Sequence, residues 1–552
     1  MTENCNVAAR LSRTARLIPS ALAIAEPEGR ARPGQARSYR AITFAELDDQ
    51  TERIACGLLR WGVEPGMRLV LAVPFGTDFI RLTFGLLKAG IVPVLVDPGM
   101  GRKNLVRCLE AAAPDGFVAI PTAHAIRMVL RSKFPHARWN VTFGRRWFWG
   151  GATVEQILQR GENPDPLPSR SSEDDAAVIF TTGSTGPPKG VRYTHGIFNH
   201  QIDLIRDRYQ IRPGSRDLAC FPLFGLFDAV MGVTSIIPDM DPTRPADVNP
   251  ERILEAVEQW EIDQAFGSPA LWNTVTRWCT RTGNRLPTLR RVLSAGAPVP
   301  PSVLSALREC IHPEANIYTP YGATESLPIA SIESREVLDE TAEVSREGGG
   351  TCVGTRFPSI EWKVIAIDDG PLATLDEVRE VPRGEIGELM VTGPVVTRQY
   401  VTRTEQNALH KVRDGDRIWH RMGDVGYLDD RDRFWFCGRK AHRVQTAAGT
   451  LYTVPCEAIF NDHPAVHRSA LVGIGPARNQ QPVLIVEPLP EARPTTPEAT
   501  ERLLAALREL AARHPHTQSI SDIRIHPSKL PVDIRHNSKI FREQLAEWAV
   551  EG

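Results

Sequence analysis

The densest chemistry in the chain is the run Thr181-Thr182-Gly183-Ser184-Thr185-Gly186-Pro187-Pro188-Lys189-Gly190. It follows Ala-Ala-Val-Ile-Phe (176–180), a short apolar run that predicts a strand. Small hydroxyl residues and glycines placed there let backbone N–H groups and side-chain hydroxyls converge on phosphate oxygens. Lys189 adds a point charge to such a cradle. Lysine is scarce, nine residues against 56 arginines, so a lysine in this loop stands out. The run is not a Walker A loop, since Lys189 follows a proline and precedes a glycine.

The elements that must hold this loop are readable on both sides of it. Thr43 and Glu46 have capping-box spacing, and Leu47, Ile54 and Leu58 then repeat at helical spacing. LVLAVPF (69–75) and IVPVLVDP (91–98) are strand runs, separated by a helical IRLTFGLLKAG (80–90) that ends at a glycine. This βαβ rhythm with apolar strands predicts a parallel sheet covered by helices. Beyond the Pro/Ser-rich 161–172 the rhythm resumes. Helices are expected at 196–209, at 251–260 behind Asn249 and Pro250, at 269–279 and at 301–310, with strands at 264–268 and 289–296. From Gly348 to about 438 the signals are strands and turns, a small β-rich lobe. The remainder reads as α+β, with a helix capped by Thr496 and a final helix from about Ser538 to Val550. The fold class is therefore α/β: a large N-terminal domain (1–438) of doubly wound sheets with a β-rich lobe (about 348–438), and a small C-terminal α+β domain (439–552).

Composition narrows the function. With 65 basic and 66 acidic residues, no net field draws nucleic acid or an anionic membrane. The chain is 42% hydrophobic and 24% charged, which excludes a disordered, collagen-like or disulfide-scaffold protein. Its nine cysteines include no CxxC pair, which argues against zinc and disulfides and for a reducing compartment. No run reaches the ~20 apolar residues that span a bilayer. LIPSALAIA (17–25) is broken by Pro19 and followed by Glu26, which reads against a signal peptide. A cytoplasmic location is expected.

The segment IFTTGSTGPPKGV (179–191) resembles the phosphate-loop signature of the acyl-adenylate-forming superfamily: acyl-CoA synthetases, peptide-synthetase adenylation domains and luciferases. The other motifs follow in family order. LKAGIVPVLVDP (87–98), SAGAP (294–298), YGATE (321–325), GEIGELMVTGP (384–394), HRMGDVGYLDD (420–430) and GRK (438–440) all resemble its core motifs, so the likeness covers nearly the whole chain. The resemblance implies ATP and Mg²⁺. Thr181, Thr182, Gly183, Ser184, Thr185, Gly186 and Lys189 would cradle phosphates. Tyr321, beside Gly322, would stack on adenine, with Gly296, Ala297 and Pro298 lining the pocket's other side. Thr324 would bond the α-phosphate, and Glu325 would hold Mg²⁺, a hard cation suited to carboxylate oxygens. Asp424 and Arg439 would contact the ribose. Lys539 would be the catalytic lysine that cancels charge as a carboxylate meets the α-phosphate. Rotation of the C-terminal domain about Lys440 and Ala441 would deliver it.

Three places depart from the common pattern. FPLFGLFD places Gly225 where a histidine is usual, which implies a remodelled acyl pocket. The hinge carries Ala441 rather than Asp or Lys, and the segment after it fits the thiol-accepting pattern poorly. Lys539 sits in LPVDIRHNSKIFRE (530–543), an altered setting. That string, with RRWFWGG (145–151) and FPLFGLF, resembles the β-lactone synthetases of long-chain olefin biosynthesis. The likeness implies adenylation of a 2-alkyl-3-hydroxy fatty acid and attack of its own β-hydroxyl to give a β-lactone, AMP and pyrophosphate. A long-chain acyl-CoA ligase is the alternative. Phe221, Phe224, Phe227, Trp272 and the Trp147–Trp149 run are candidate walls of a water-excluding substrate pocket beside Gly225. His195 and His442 lie near motifs, but neither is assigned as base. The resemblance also implies partners: a thiolase-like enzyme, a ketone reductase and a β-lactone decarboxylase. No nucleic acid and no transmembrane segment are expected.

Overall fold

A computed structural model describes residues 4–29, 35–181, 187–533 and 539–551. A seven-stranded sheet forms the first layer, in the order 152–153, 139–142, 116–119, 68–72, 92–95, 175–180, 190–194. All neighbours are parallel except the last pair, the two strands that flank the phosphate loop. Helix Phe44–Trp61 starts where expected, with Thr43 and Glu46 forming a complete capping box. It packs tightly on helix Val154–Arg160: a Cβ on Gly57 would sit 2.0 Å from the Ile157 carbonyl oxygen.

The second sheet has 14 strands. Its middle is parallel, with 234–236, 216–219, 264–267, 291–294 and 316–323 side by side. Helices Pro250–Trp260, Pro269–Thr282 and Pro301–Cys310 bury apolar faces in one core beside these strands. The first of these begins at Asn249, whose side chain accepts from the Glu251 N–H. After 316–323 the pairing turns antiparallel and continues through 326–333, 351–356, 433–439, 417–428, 387–392 and 361–365. The strands expected as a β-rich lobe are thus a direct continuation of this sheet.

From Val444 onward the chain builds separate layers. Strands 466–474, 481–488 and 522–525 form a three-stranded sheet. One face buries Leu471, Leu484 and Leu507, and the other Val483, Leu530 and Leu545. The last helix begins at Arg542, not at Ser538. Its expected first turn is used differently: Val532 and Ile540 pair in an antiparallel bridge, and the Phe541 N–H donates to the Pro531 carbonyl. All nine cysteines are unbridged. Among the described residues no group of His, Cys, Asp and Glu is placed to hold a metal, and no helix is long and apolar enough to cross a membrane.

Candidate active site

The two sheets meet at the phosphate loop. Thr181 and Lys189 close its base: the Thr181 N–H donates to the Lys189 carbonyl at 3.0 Å, and the Lys189 N–H to Thr181 Oγ1 at 3.2 Å. Thr182, Gly183, Ser184, Thr185 and Gly186 lie outside the described residues. Strand Gly190–Thr194 is sewn to a segment after the GELMVTGP motif. The Gly190 N–H donates to Thr402 Oγ1 at 2.8 Å, and the Val401 N–H to the Gly190 carbonyl at 2.9 Å. This stitch brings Lys189 against Tyr400, its ammonium 4.8 Å from the ring centroid.

Thr324 and Glu325 occupy the tight turn between strands 316–323 and 326–333. Gly322 is required there, because a Cβ would come within 2.8 Å of the Ser326 carbonyl oxygen. The turn is held from several sides. Tyr193 donates its hydroxyl to the Thr324 carbonyl at 2.6 Å, and Thr397 donates both its N–H and its hydroxyl to the Glu325 carbonyl. The carboxylate itself accepts from the Tyr400 hydroxyl at 2.8 Å. Lys411 lies 5.5 Å from the same Tyr400 ring and donates to the Thr397 carbonyl and hydroxyl. Lys189 also lies 3.2 Å from His410 Nε2.

Of these basic groups Lys411 is buried, and Lys189 and His410 are half-buried. Burial lowers the Lys189 ammonium below its ordinary range, with Glu325 opposing the shift and Arg403 and Arg439 adding to it. Burial drives Lys411 down to about 7, with Glu325 opposing and Lys189 reinforcing. Burial and then Lys189 bring His410 to about 4. His420 is likewise lowered by burial, then by Lys411 and His410. Two lysines converging on one carboxylate and one aromatic ring make a setting for a polyanion.

A second cluster is formed by Tyr321, Asp424 and Arg439. Asp424 and Arg439 are directly opposite on neighbouring strands, with Arg439 Nη1 2.8 Å from Asp424 Oδ1. Tyr321 reaches Asp424 Oδ2 with its hydroxyl, although three strands separate them in the sheet order. Asp424 is buried, and burial raises its carboxyl, opposed by Arg439 and the Tyr321 hydrogen bond. Its Oδ1 makes no well-aligned hydrogen bond despite the nearby guanidinium. An under-satisfied buried carboxylate oxygen fits vicinal hydroxyls of a ribose. The loop after strand Arg291–Ser294 holds Gly296, at φ +97°, half-buried Ala297 and exposed Pro298.

The apolar candidates divide. Phe224 stacks on Phe266 at 3.6 Å between centroids, and Phe221 and Phe227 lie at 5.8 Å from Phe266 and 5.9 Å from Phe224 respectively. Phe221 and Phe224 are half-buried, whereas Phe227 is buried. A Cβ on Gly225 would meet the Phe75 ring at 3.1 Å and Ile80 Cδ1 at 3.2 Å. Phe75 therefore crowds the position where the wider pattern has a histidine. Trp272 is fully buried in the core between the second sheet and its helices. The Trp147–Trp149 run lies instead at the edge of the first sheet, with Trp147 and Phe148 exposed and only Trp149 buried. His195 is a buried structural residue: its Nδ1 accepts from the Val7 N–H, and burial lowers it to about 4. His442, in the junction turn, lies 3.7 Å from Glu543 of the last helix.

At the junction, Lys440–His442 form a single 3₁₀ turn that includes Ala441. The Lys440 ammonium donates to Glu388 Oε2 and to the Asp368 carbonyl, both at 3.0 Å. Glu388 is fully buried and also pairs with Arg421 at 2.6 Å. Lys539 lies on the hairpin before the last helix. Its N–H donates to Asp533 Oδ1 at 2.8 Å, and its carbonyl accepts from the Asp533 N–H at 3.0 Å. The structure thus joins Lys189, Glu325, Tyr400 and Lys411 in one cluster and Tyr321, Asp424 and Arg439 in another, while these contacts of Lys539 stay within its own hairpin.

Sequence reasoning missed Tyr193, Thr397, Tyr400, His410 and Lys411. The scarcity of lysine was a usable signal for Lys411, and the GELMVTGP motif a few residues upstream was one for Tyr400.

Two α/β sheets, the second running on into an antiparallel edge, followed by a small α+β unit, is the architecture of adenylate-forming enzymes. Magnesium- and ATP-bound o-succinylbenzoate coenzyme A synthetase of Bacillus subtilis shares this fold, with a TM-score of 0.74, 19% identity, and coverage of 97% of this chain and 98% of that one. The chain belongs to the AMP-binding enzyme family, whose model matches residues 15–401. It is 45% identical to the olefin beta-lactone synthetase of Xanthomonas campestris pv. campestris, over 100% of this chain and 98% of the relative. It is 46% identical to the olefin beta-lactone synthetase of Stenotrophomonas maltophilia, over 100% of this chain and 99% of the relative.

Proposed function

We propose that the protein is an ATP-dependent β-lactone synthetase acting on a 2-alkyl-3-hydroxy long-chain fatty acid in olefin biosynthesis. The observation that carries this reading is the end-to-end identity of 45% to an olefin beta-lactone synthetase. In the first step a carboxylate oxygen attacks the α-phosphorus and pyrophosphate leaves. In the second, the substrate's β-hydroxyl oxygen attacks the acyl carbon, AMP departs, and the hydroxyl proton is lost. Tethering makes the second step intramolecular, and well-oriented tethered reactions reach effective molarities of ~10⁵–10⁸ M.

The side-chain roles are those the family resemblance implies, and the chemistry of each residue suits its role. Tyr321, with Gly296, Ala297, Pro298 and Gly322, receives the adenine, and Asp424 with Arg439 the ribose. The loop 181–189 and Thr324 take the phosphates. Glu325 holds Mg²⁺, which supplies charge neutralisation on the phosphates, and Tyr400 fixes that carboxylate. Glu325 would offer its carboxylate to Mg²⁺, while half-buried Lys189 and buried Lys411 would face the polyphosphate oxygens. Lys539 meets the developing charge at the α-phosphate. Phe221, Phe224 and the crowded Gly225 shape the acyl pocket and keep water from the mixed anhydride. Residues 439–552 form the C-terminal domain, and its swing about Lys440–Ala441 brings Lys539 in and out. The protein works in the cytoplasm, beside a thiolase-like enzyme, a ketone reductase and a lactone decarboxylase that supply its substrate and consume its product.

The decisive experiment incubates a synthetic 2-alkyl-3-hydroxy acid with MgATP, with and without coenzyme A, and follows AMP, pyrophosphate and organic product by mass spectrometry. The expected result is a lactone, one water lighter than the acid, without any thiol. Product formation that strictly requires coenzyme A would make the protein a long-chain acyl-CoA ligase instead.

A further inference from the structure

Of the eight large apolar side chains exposed among the described residues, four lie at one edge of the first sheet. Ile126 is 59% and Val129 84% exposed on helix Pro121–Val129, and Trp147 is 50% and Phe148 77% exposed on the loop 143–151. Helix and loop are packed together. The helix turns His124 and Arg127 inward, and the His124 ring lies 5.5 Å from buried Trp149. Trp149 is a root: its Nε1–H donates to Thr142 Oγ1 at 2.9 Å, and the rings of Trp147 and Phe148 each stand 5.3 Å from it. The loop is also shaped for this pose. Gly151 has φ +108°, and a Cβ there would lie 2.1 Å from the Asn140 carbonyl oxygen. The outward aromatics are therefore presented by a built wedge.

The stretch that carries this face has charge of one sign. The whole chain is balanced, at 65 basic and 66 acidic residues, yet residues 116–154 contain no Asp or Glu. Arg131, Arg138, Arg145 and Arg146 are exposed in this stretch. One guanidinium nitrogen of Arg146 donates to the Gly151 carbonyl, which seats that charge on the wedge itself. Lys133 is engaged with Glu110, an acid from outside the stretch. A tryptophan and a phenylalanine thrust outward between arginines match the interfacial zone of a bilayer, where aromatic rings settle at headgroup level and cations meet anionic lipid.

We propose that the face formed by Ile126, Val129, Trp147 and Phe148 with its flanking arginines docks peripherally on an anionic lipid bilayer. The inference rests on this surface alone and stands whichever acid the enzyme activates. It gives the exposed half of the Trp147–Trp149 run a use far from the acyl pocket.

Co-sedimentation of the full chain with phosphatidylglycerol-containing vesicles and with pure phosphatidylcholine vesicles tests it. The expected result is partition onto the anionic vesicles, weakened by salt and accompanied by a blue shift in tryptophan fluorescence. Two double variants, Trp147→Ser with Phe148→Ser and Arg145→Glu with Arg146→Glu, should each lower the partition at least about tenfold. Their melting curves and their adenylation of a short, soluble hydroxy acid should match the parent. The proposal is overturned if the parent binds neither vesicle, if it binds both equally and without salt dependence, or if the variants bind like the parent. It is equally overturned if the variants lose only a complex with another protein while the parent ignores lipid.

Discussion

The hydroxyl of Tyr400 lies 2.8 Å from Oε1 of Glu325, and the two residues reach each other across the seam between the sheets. Glu325 comes from a turn of the second sheet, while Tyr400 is held against the strand that leaves the phosphate loop. One hydrogen bond therefore ties the proposed magnesium ligand to the phosphate cradle.

Tyr400→Phe should keep the fold and lose that tie. A hydrogen bond to a charged group contributes about 1.5–3 kcal/mol, so kcat/KM for MgATP should fall about 10–100-fold. The deficit should lie in the magnesium dependence of ATP–pyrophosphate exchange. An unchanged magnesium titration would remove Tyr400 from the site.

Lys539→Ala should bind nucleotide with near-normal affinity and form adenylate about 10²–10³ times more slowly, the usual cost of deleting one preorganised charge-stabilising group. Equilibrium nucleotide binding and single-turnover AMP formation separate the two effects. Full turnover in this variant would withdraw the role given to the lysine.

Gly225→His should be destabilising, because the new side chain must displace Phe75 and Ile80. Overpacking of this kind costs about 1–3 kcal/mol, read as a lower denaturant midpoint. A Phe75→Ala change in the same chain should return part of that loss. Additive losses in the double variant would mean that the two side chains do not compete for space.

Asp228, on the helix that also carries Phe224, is buried against Asp217 of strand 216–219. Burial raises both carboxyls, Asp217 to about 7 and Asp228 further, with the mutual charge adding to the shift on Asp228. The folded state thus keeps protons that the unfolded chain, at its ordinary carboxylate range, has released. Stability should be greatest below about pH 4 as far as this pair is concerned and should fall as pH rises toward 7. Asp228→Asn imitates the protonated partner. It should flatten that pH dependence and raise the melting temperature near pH 8 by about 2–5 °C. A variant that melts lower than the parent at pH 8, with an unaltered slope, would refute the shared-proton account.

Local signals in the sequence located the elements well because their causes are local. The capping box at Thr43 and Glu46 and the caps at Asn249 and Thr496 are bonds within one turn of chain, and all three form. Tyr321, Asp424 and Arg439 were legible through their motifs, and the structure brings them together. Tyr400 and Lys411 carried weaker signals, because what places them at the cluster is a stitch between residues about two hundred positions apart. The start of the last helix was misjudged for a related reason: pairing of Val532 with Ile540 overrides the helical tendency around Lys539. Aromatic spacing alone could not tell half-buried Phe224 from the core at Trp272 or the outer wedge at Trp147. That distinction is set by tertiary neighbours.

Tyr321, Asp424 and Arg439 stand on strands of one uninterrupted hydrogen-bonded sheet, and Lys440 is the first residue past its end. Under the proposed roles the berth for the nucleoside would be a fixed quay, and the residues past Arg439 would be what travels. Each departure would then have to unfasten Lys440 from the submerged carboxylate of Glu388.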